Sequence, residues 1–159
     1  FHTGDKGIID EDGFLKITGR KKEMFKTSGG KYIIPTLLEN DLKQSLFIEQ
    51  VMVIGEGEKM PGAIIQPNFE FIRDWIDHKN HSIGKTEKEI ATSEIVINRI
   101  QKEVDKYNNN FGKWEQIKRF ELTPESWTID DGHLTPTMKM KRNIIREKYD
   151  ALYEKIYRP

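Results

Sequence analysis

Basic residues set beside glycines recur along this chain in patterns suited to phosphate-bearing ligands. His2-Thr3-Gly4-Asp5 places a carboxylate behind a glycine turn. Such a carboxylate can accept both hydrogen bonds of a ribose diol, as acidic residues do in dinucleotide sites, although an ordinary turn aspartate looks the same. Gly19-Arg20-Lys21-Lys22 sets three cations in a row. A guanidinium meets phosphate as a fork and an ammonium as a point charge; a solvated charge run is the plainer alternative. Lys26-Thr27-Ser28-Gly29-Gly30-Lys31 superficially suggests a phosphate-binding loop, but Phe25 stands where the first glycine of that motif is required, and Tyr32 where Ser or Thr is. What survives is a glycine pair that lets a ligand approach the backbone closely, or a simple hairpin turn. In Leu134-Thr135-Pro136-Thr137-Met138-Lys139-Met140-Lys141-Arg142, Lys139 and Lys141 would share one side of an extended segment. A loop-borne lysine can neutralise charge on a reacting phosphate; a basic strand edge that discourages aggregation is the alternative. His78 and His81 have the spacing of two metal ligands on a helix, but no third ligand is evident, so they read as surface histidines and no metal site is expected.

The elements that must carry these stretches follow from hydrophobic periodicity and turn chemistry. Residues 7–17 read as a hairpin, with Ile8 and Ile9 before Asp10-Glu11-Asp12-Gly13 and Phe14, Leu15 and Ile17 after it. Met24 and Phe25 pair with Tyr32, Ile33 and Ile34 in a second hairpin turned at Gly29 and Gly30, and the polar run 19–23 between the hairpins reads as a linker. Pro35 suits the first turn of a helix that holds Leu38, Leu42 and Leu46 on one face to about Ser45. Strands are expected over 50–54 and 63–66, then a helix capped by Asn68. Thr86 and Glu89 form a capping box for a longer helix with Ile90, Ile97, Ile100, Val104 and Tyr107 on one face. A strand near 117–122, a turn at Asp131-Gly132 and a last helix from Arg142, burying Ile145, Tyr149, Leu152 and Ile156, complete the chain. The order describes a small α+β domain with a short, mostly antiparallel sheet flanked by helices.

Composition narrows the classes. The 159 residues suit one compact domain, or one domain plus a piece of another, and the opening at Phe1, inside a strand signal, fits a piece of a longer chain. Only 36% of residues are hydrophobic and 33% are charged, so part of the polar surface is expected to face a missing partner domain. Lys+Arg and Asp+Glu are both 26, and this balance argues against nucleic-acid binding. With no cysteine there is neither disulfide nor thiolate chemistry, in keeping with a reducing interior. No apolar run approaches membrane-spanning length, so a cytoplasmic protein is expected, with peripheral membrane contact left open.

As a set, these segments resemble the C-terminal signature motifs of the adenylate-forming acyl-CoA synthetases, in their long-chain fatty acid branch. Phe1-His2-Thr3-Gly4-Asp5-Lys6-Gly7 is similar to the ribose-binding motif of that family. Asp10-Glu11-Asp12-Gly13-Phe14-Leu15-Lys16-Ile17-Thr18-Gly19-Arg20-Lys21-Lys22 resembles its hinge motif, which Lys26-Thr27-Ser28-Gly29-Gly30-Lys31-Tyr32-Ile33-Ile34-Pro35 continues as far as Glu39. Residues 134–142 resemble its terminal lysine motif. The resemblance spans nearly the whole chain in order and spacing. One departure is Thr137-Met138-Lys139, where most of the superfamily has Ser-Gly-Lys; the variant resembles the long-chain branch and loosens the choice of Lys139 over Lys141.

The resemblance implies that residues 1–19 are the tail of a large N-terminal adenylation domain, 20–22 a hinge, and 23–159 a C-terminal lid. It implies roles for particular residues. Asp5 would hold the ribose hydroxyls of ATP and Arg20 would contact the nucleotide. Lys22 would be the hinge, and Gly29 would lie along the pantetheine channel of CoA. Lys26 would serve the second half-reaction, and Lys139 would be the adenylation lysine. The implied reaction is ATP-dependent activation of a fatty acid to acyl-AMP and then acyl-CoA, with Mg2+ as cofactor. The chain's partner would be its own N-terminal domain, and alone it is expected to be inactive and to bind no cofactor tightly. Alternatives are the lid of an aryl-CoA ligase or peptide-synthetase adenylation domain, a non-catalytic interaction module and, more distantly, an RNA-binding segment at 139–146.

Overall fold

The computed structural model describes residues 4–20 and 23–159, and for Asp5, Lys6 and residues 16–20 the backbone alone. Lys22, the expected hinge, lies outside the described residues, as do residues 1–3 and Lys21. Strands β1 (Asp5–Ile9) and β2 (Leu15–Arg20) form the first antiparallel hairpin. Its turn closes because Asp10 Oδ1 accepts from the amides of Phe14 at 2.8 Å and Asp12 at 3.2 Å. The hairpin runs further than its apolar residues suggested. Gly19 and Arg20, expected in a linker, pair with Lys6 and Asp5, because a backbone ladder can continue without apolar side chains. Ile8, Ile9, Phe14 and Leu15 are all exposed on this hairpin.

The second hairpin is shorter, β3 (Phe25–Lys26) with β4 (Tyr32–Ile33). Helix α1 (Pro35–Leu42) starts on its proline, as expected, and buries Pro35, Leu38, Glu39 and Leu42. It stops earlier than the leucine spacing predicts, and Leu46 is 65% exposed. The chain turns at Ser45, whose Oγ accepts from the Phe47 amide at 3.2 Å, and Phe47 takes the inward place instead.

Strands β5 (Ile48–Ile54), β6 (Gly62–Pro67) and β7 (Arg119–Leu122) make a three-stranded sheet with β6 in the centre. β5 and β6 are antiparallel, whereas β6 and β7 are the one parallel pair among the described strands. Alternate side chains of β5 and β6 feed two cores, since successive residues of a strand point to opposite faces. Val51, Val53, Ala63 and Ile65 join the larger core, and Met52, Ile54 and Ile64 the smaller one. β6 is buried throughout, which is why it reads as a continuous apolar run rather than an alternation.

Four helices cover the larger core: α1, α2 (Phe69–His78), α3 (Glu87–Thr92) and α4 (Glu94–Asn108). The Asn68 cap and the Thr86–Glu89 capping box form as expected. The single long helix expected after Thr86 is broken at Ser93, which is extended at ψ 123°. The break lets Ile90 and Ala91 on one segment and Val96, Ile100 and Val104 on the other reach the same core. On the opposite face, α5 (Arg142–Lys148) and α6 (Asp150–Tyr157) bring Ile145, Tyr149 and Ile156 against Trp127 and Leu134. They too replace one expected helix, separated at the buried Tyr149.

Helix α6 lies so close to β6 that there is no room for a methyl at Gly62: a Cβ there would stand 2.8 Å from Tyr157 Oη and 2.9 Å from Ile156 Cγ2. Gly62→Ala is therefore expected to destabilise the domain by about 1–3 kcal/mol, the usual range for overpacking, read as a lower urea midpoint at constant slope. An unchanged midpoint would mean that α6 is not seated there.

Candidate functional site

Of the residues singled out by type and spacing, Lys139 is held in the most elaborate local setting. Residues 134–140 form a closed turn rather than an extended segment. Leu134 and Met140 are bridged antiparallel. The Thr135 amide donates to the Lys139 carbonyl at 2.8 Å, the Met138 amide to the Thr135 carbonyl at 2.8 Å, and the Lys139 amide to Thr135 Oγ1 at 3.0 Å. Met138 sits at φ +64°, in the left-handed region that favours glycine. Lys139 is exposed and borders a cleft of about 390 Å³ together with Glu23, Glu39, Asn40 and Arg142. Lys141, expected on the same side of an extended segment, borders an adjoining depression beside Asn143 and Ile144.

The floor of the Lys139 cleft is an ion pair. Glu39 is 3% exposed, and Arg142 reaches it as a fork, Nη1 to Oε1 at 2.7 Å and Nη2 to Oε2 at 2.6 Å. Glu39 Oε1 also accepts from the Val53 amide at 2.9 Å. One carboxylate thus joins α1, β5 and the start of α5, directly after the lysine loop. The bidentate geometry is the strong form of this interaction. The pairing could not be read from the sequence, where the two residues stand far apart. A signal was nevertheless present, since Glu39 is the one charged residue on the buried face formed by Pro35, Leu38 and Leu42.

Lys26 and Gly29 lie on the β3–β4 hairpin. The hairpin is fastened to the β5–β6 turn by the Ser28 amide on the Glu58 carbonyl and the Gly57 amide on the Lys26 carbonyl, each 2.9 Å. Gly30 takes φ +81°, and among the described residues the one atom near a Cβ placed on Gly29 is Thr27 Oγ1 at 4.0 Å, so backbone there is open to close approach. Lys26 Nζ lies 5.5 Å from the centre of the Tyr32 ring. Asp5 and Arg20 are register partners at the open end of the first hairpin. The structure therefore places Asp5 opposite Arg20 on one hairpin, Lys26 and Gly29 on the next, and Lys139 on a cleft with Glu39 and Arg142.

Electrostatics mark a second polar cluster behind the lysine loop. Glu125 has its carboxyl held below the usual range, chiefly by Lys148, whose Nζ is 3.0 Å away. Tyr149 donates to Glu125 at 3.1 Å, and burial drives its hydroxyl well above the ordinary phenol value. His78 is exposed at the end of α2 and His81 packs its ring 4.9 Å from that of Trp75. No group of three His, Asp or Glu side chains among the described residues is placed to hold a metal ion.

The family model for the AMP-binding enzyme C-terminal domain matches residues 23–159. Over 157 residues the chain is 40% identical to the long-chain-fatty-acid–CoA ligase FadD15 of Mycobacterium tuberculosis, covering 99% of this chain and 26% of that protein. It is 37% identical to the human long-chain-fatty-acid–CoA ligase 1 over 162 residues, 98% of this chain and 23% of the relative. The chain thus spans about a quarter of the length of the curated relatives it matches. Among solved structures, the adenylation domain of a carboxylate reductase from Mycobacterium chelonae superposes with a TM-score of 0.78 at 20% identity, covering 100% of this chain and 23% of that one. A fatty acyl CoA synthetase from Mycobacterium tuberculosis gives 0.55 at 24% identity, covering 95% of this chain and 24% of that one. At these identities the structural matches speak to fold.

Breaking the fork leaves a buried carboxylate with a single amide donor. Arg142→Met is expected to cost about 3 kcal/mol, as for other buried pairs that lose one partner, and Glu39→Gln in the same chain to recover part of that loss. Urea denaturation of the single and double variants checks this. Additive losses would show that the pair is not coupled.

Proposed function

Since the chain belongs to the AMP-binding enzyme C-terminal domain family, we propose that it is the lid of a long-chain fatty acid CoA ligase, with residues 1–19 the tail of the adenylation domain, 20–22 the hinge and 23–159 the lid. The observation that carries the reading is Lys139, an exposed ammonium on a closed loop over a buried ion pair, within a chain similar along nearly its whole length to long-chain ligases. In the first half-reaction a fatty carboxylate oxygen attacks the α-phosphorus of ATP, and pyrophosphate leaves as acyl-AMP forms. Negative charge gathers on the attacking and transferring groups, and a fixed cation there acts most strongly in the transition state. Lys139 supplies it, on a loop whose shape is set by backbone hydrogen bonds rather than by its own side chain. Asp5 accepts from the ribose hydroxyls and Arg20 steadies the nucleotide.

In the second half-reaction the CoA thiol attacks the acyl carbon and AMP leaves. Rotation about Lys22 withdraws Lys139 and presents the β3–β4 hairpin, where the open backbone at Gly29 borders the pantetheine and Lys26 assists. A hinge of this kind is a few residues that absorb a large backbone change. The exposed Ile8, Ile9, Phe14 and Leu15 suit a hairpin that packs on the adenylation domain in the whole protein. Magnesium would accompany the nucleotide at groups outside the described residues, and no step here is assigned to it. No helix among the described residues is long and apolar enough to cross a membrane.

In the full-length enzyme, Lys139→Ala is expected to lower adenylation about 10²–10³-fold, the usual range for losing one transition-state cation or donor, while thioester formation from supplied acyl-AMP is largely kept. Equal loss of both half-reactions would count against the assignment. Lys22→Pro is expected to uncouple the two steps; normal rates in both would remove Lys22 as the hinge. Pyrophosphate exchange with palmitate, set against an aromatic acid, separates a long-chain ligase from an aryl-CoA ligase.

A further inference from the structure

His133 stands at the base of the Lys139 loop and is fully buried, at 0% exposure. Its backbone closes the loop at both ends. The His133 and Leu134 amides donate to the Thr128 carbonyl at 3.0 and 3.1 Å, and the His133 carbonyl accepts from the Lys141 amide at 2.9 Å. The ring adds a further tie: Nδ1 accepts from the Thr128 amide at 3.3 Å, and the ring stacks on Tyr149 at 6.1 Å. Thr128 is itself held, since its hydroxyl donates to Asp131 Oδ2 at 2.8 Å and accepts from the Asp131 amide at 3.0 Å.

An amide N–H can only donate, so Nδ1 carries no proton and the ring is the neutral Nε2–H tautomer. Among the described residues that Nε2–H is buried without a hydrogen-bond partner. A leucine would fill the same space without an unpaired donor. What it could not offer is the acceptor for Thr128.

We propose that His133 is a positioning residue for Lys139, its neutral ring clamping Thr128 and Tyr149 so that residues 134–141 present the lysine in one place. The inference rests on the reading of Lys139 as the adenylation lysine. A proton on Nδ1 would set two donors face to face and release the clamp. The charged groups around the ring are Lys148 on α5, which opposes protonation, and Asp131 and Glu125 on the preceding loop, which favour it; Tyr149 packs against it. Burial is the largest influence and holds the imidazole below its ordinary value. The unfolded chain therefore takes up the proton first as pH falls. The stability from the neutral ring is complete above about pH 6.5 and is lost as pH drops through the lowered folded value.

The test uses the full-length enzyme with His133→Leu, which removes the acceptor, and His133→Asn, which restores one near the position of Nδ1. The leucine variant is expected to lose about tenfold to a hundredfold in kcat for adenylation, as for misplaced catalytic groups, with KM for the fatty acid and thioester formation from acyl-AMP retained. The asparagine variant recovers most of the loss. The amides of Leu134 and Lys141 exchange faster in the leucine variant, and its adenylation lacks the decline expected of the parent as pH falls through the lowered folded value of the imidazole. Wild-type adenylation and amide protection in the leucine variant would overturn the proposal, as would equal loss in both half-reactions. Ring ¹⁵N shifts of the parent showing an Nδ1–H tautomer would overturn it even if the leucine variant failed to fold. If Lys139→Ala kept adenylation, the reading of Lys139 would fall, while amide exchange would still decide whether His133 holds the loop.

Discussion

The carboxylate of Glu39 is the point through which the two halves of the domain are tied. It projects from α1 on the side of the larger core, takes the Val53 amide of β5, and receives both arms of Arg142 from the first residue of α5. Removing a carboxylate from water is costly, and only a full set of donors offsets the cost. That requirement fixes where Arg142 must stand, and with it the end of the loop that carries Lys139. The placement of Lys139 thus depends on an ion pair at the end of its loop.

The sheet makes this arrangement possible. Because β5 and β6 are apolar on both faces, the helices of the first part of the chain and the pair at the C-terminus pack on opposite sides of it. The lysine loop grows from the second layer yet meets α1 of the first, at the sheet margin where Glu39 and Arg142 meet. The β3–β4 hairpin is pinned separately, by backbone bonds to the β5–β6 turn. Two chemically different edges on one domain fit the proposal of a lid that turns between half-reactions, since neither edge need change shape when the whole rotates.

Much of this was legible in residue order. Both hairpins, the Pro35 start, the Asn68 cap and the Thr86–Glu89 box are local devices whose hydrogen bonds close within a few residues, so local chemistry was enough to find them. Helix ends were harder. Leu46 continues a leucine spacing but is exposed, because Phe47 offers the core a larger side chain after the turn at Ser45. The breaks at Ser93 and Tyr149 have no glycine or proline to announce them. Each break lets both of its segments reach the same core. At the site, the positions of Lys139, Gly29, Asp5 and Arg20 were nameable from motif and spacing. The Glu39–Arg142 fork and the buried ring of His133 were not, since each is defined by a partner distant in sequence or by burial that the local pattern does not encode.

Residue order alone pointed to the class of the fold and the family it resembles, because these rest on short-range spacing and motif order. It preferred Lys139 to Lys141 by motif alone, with the two as neighbours on one side of an extended segment. Folding separates them: the loop closes on its own backbone, Met138 turns left-handed, and Arg142 is drawn to a carboxylate buried on a distant helix. That separation depends on Arg142 finding a buried carboxylate distant in sequence, which no local pattern carries.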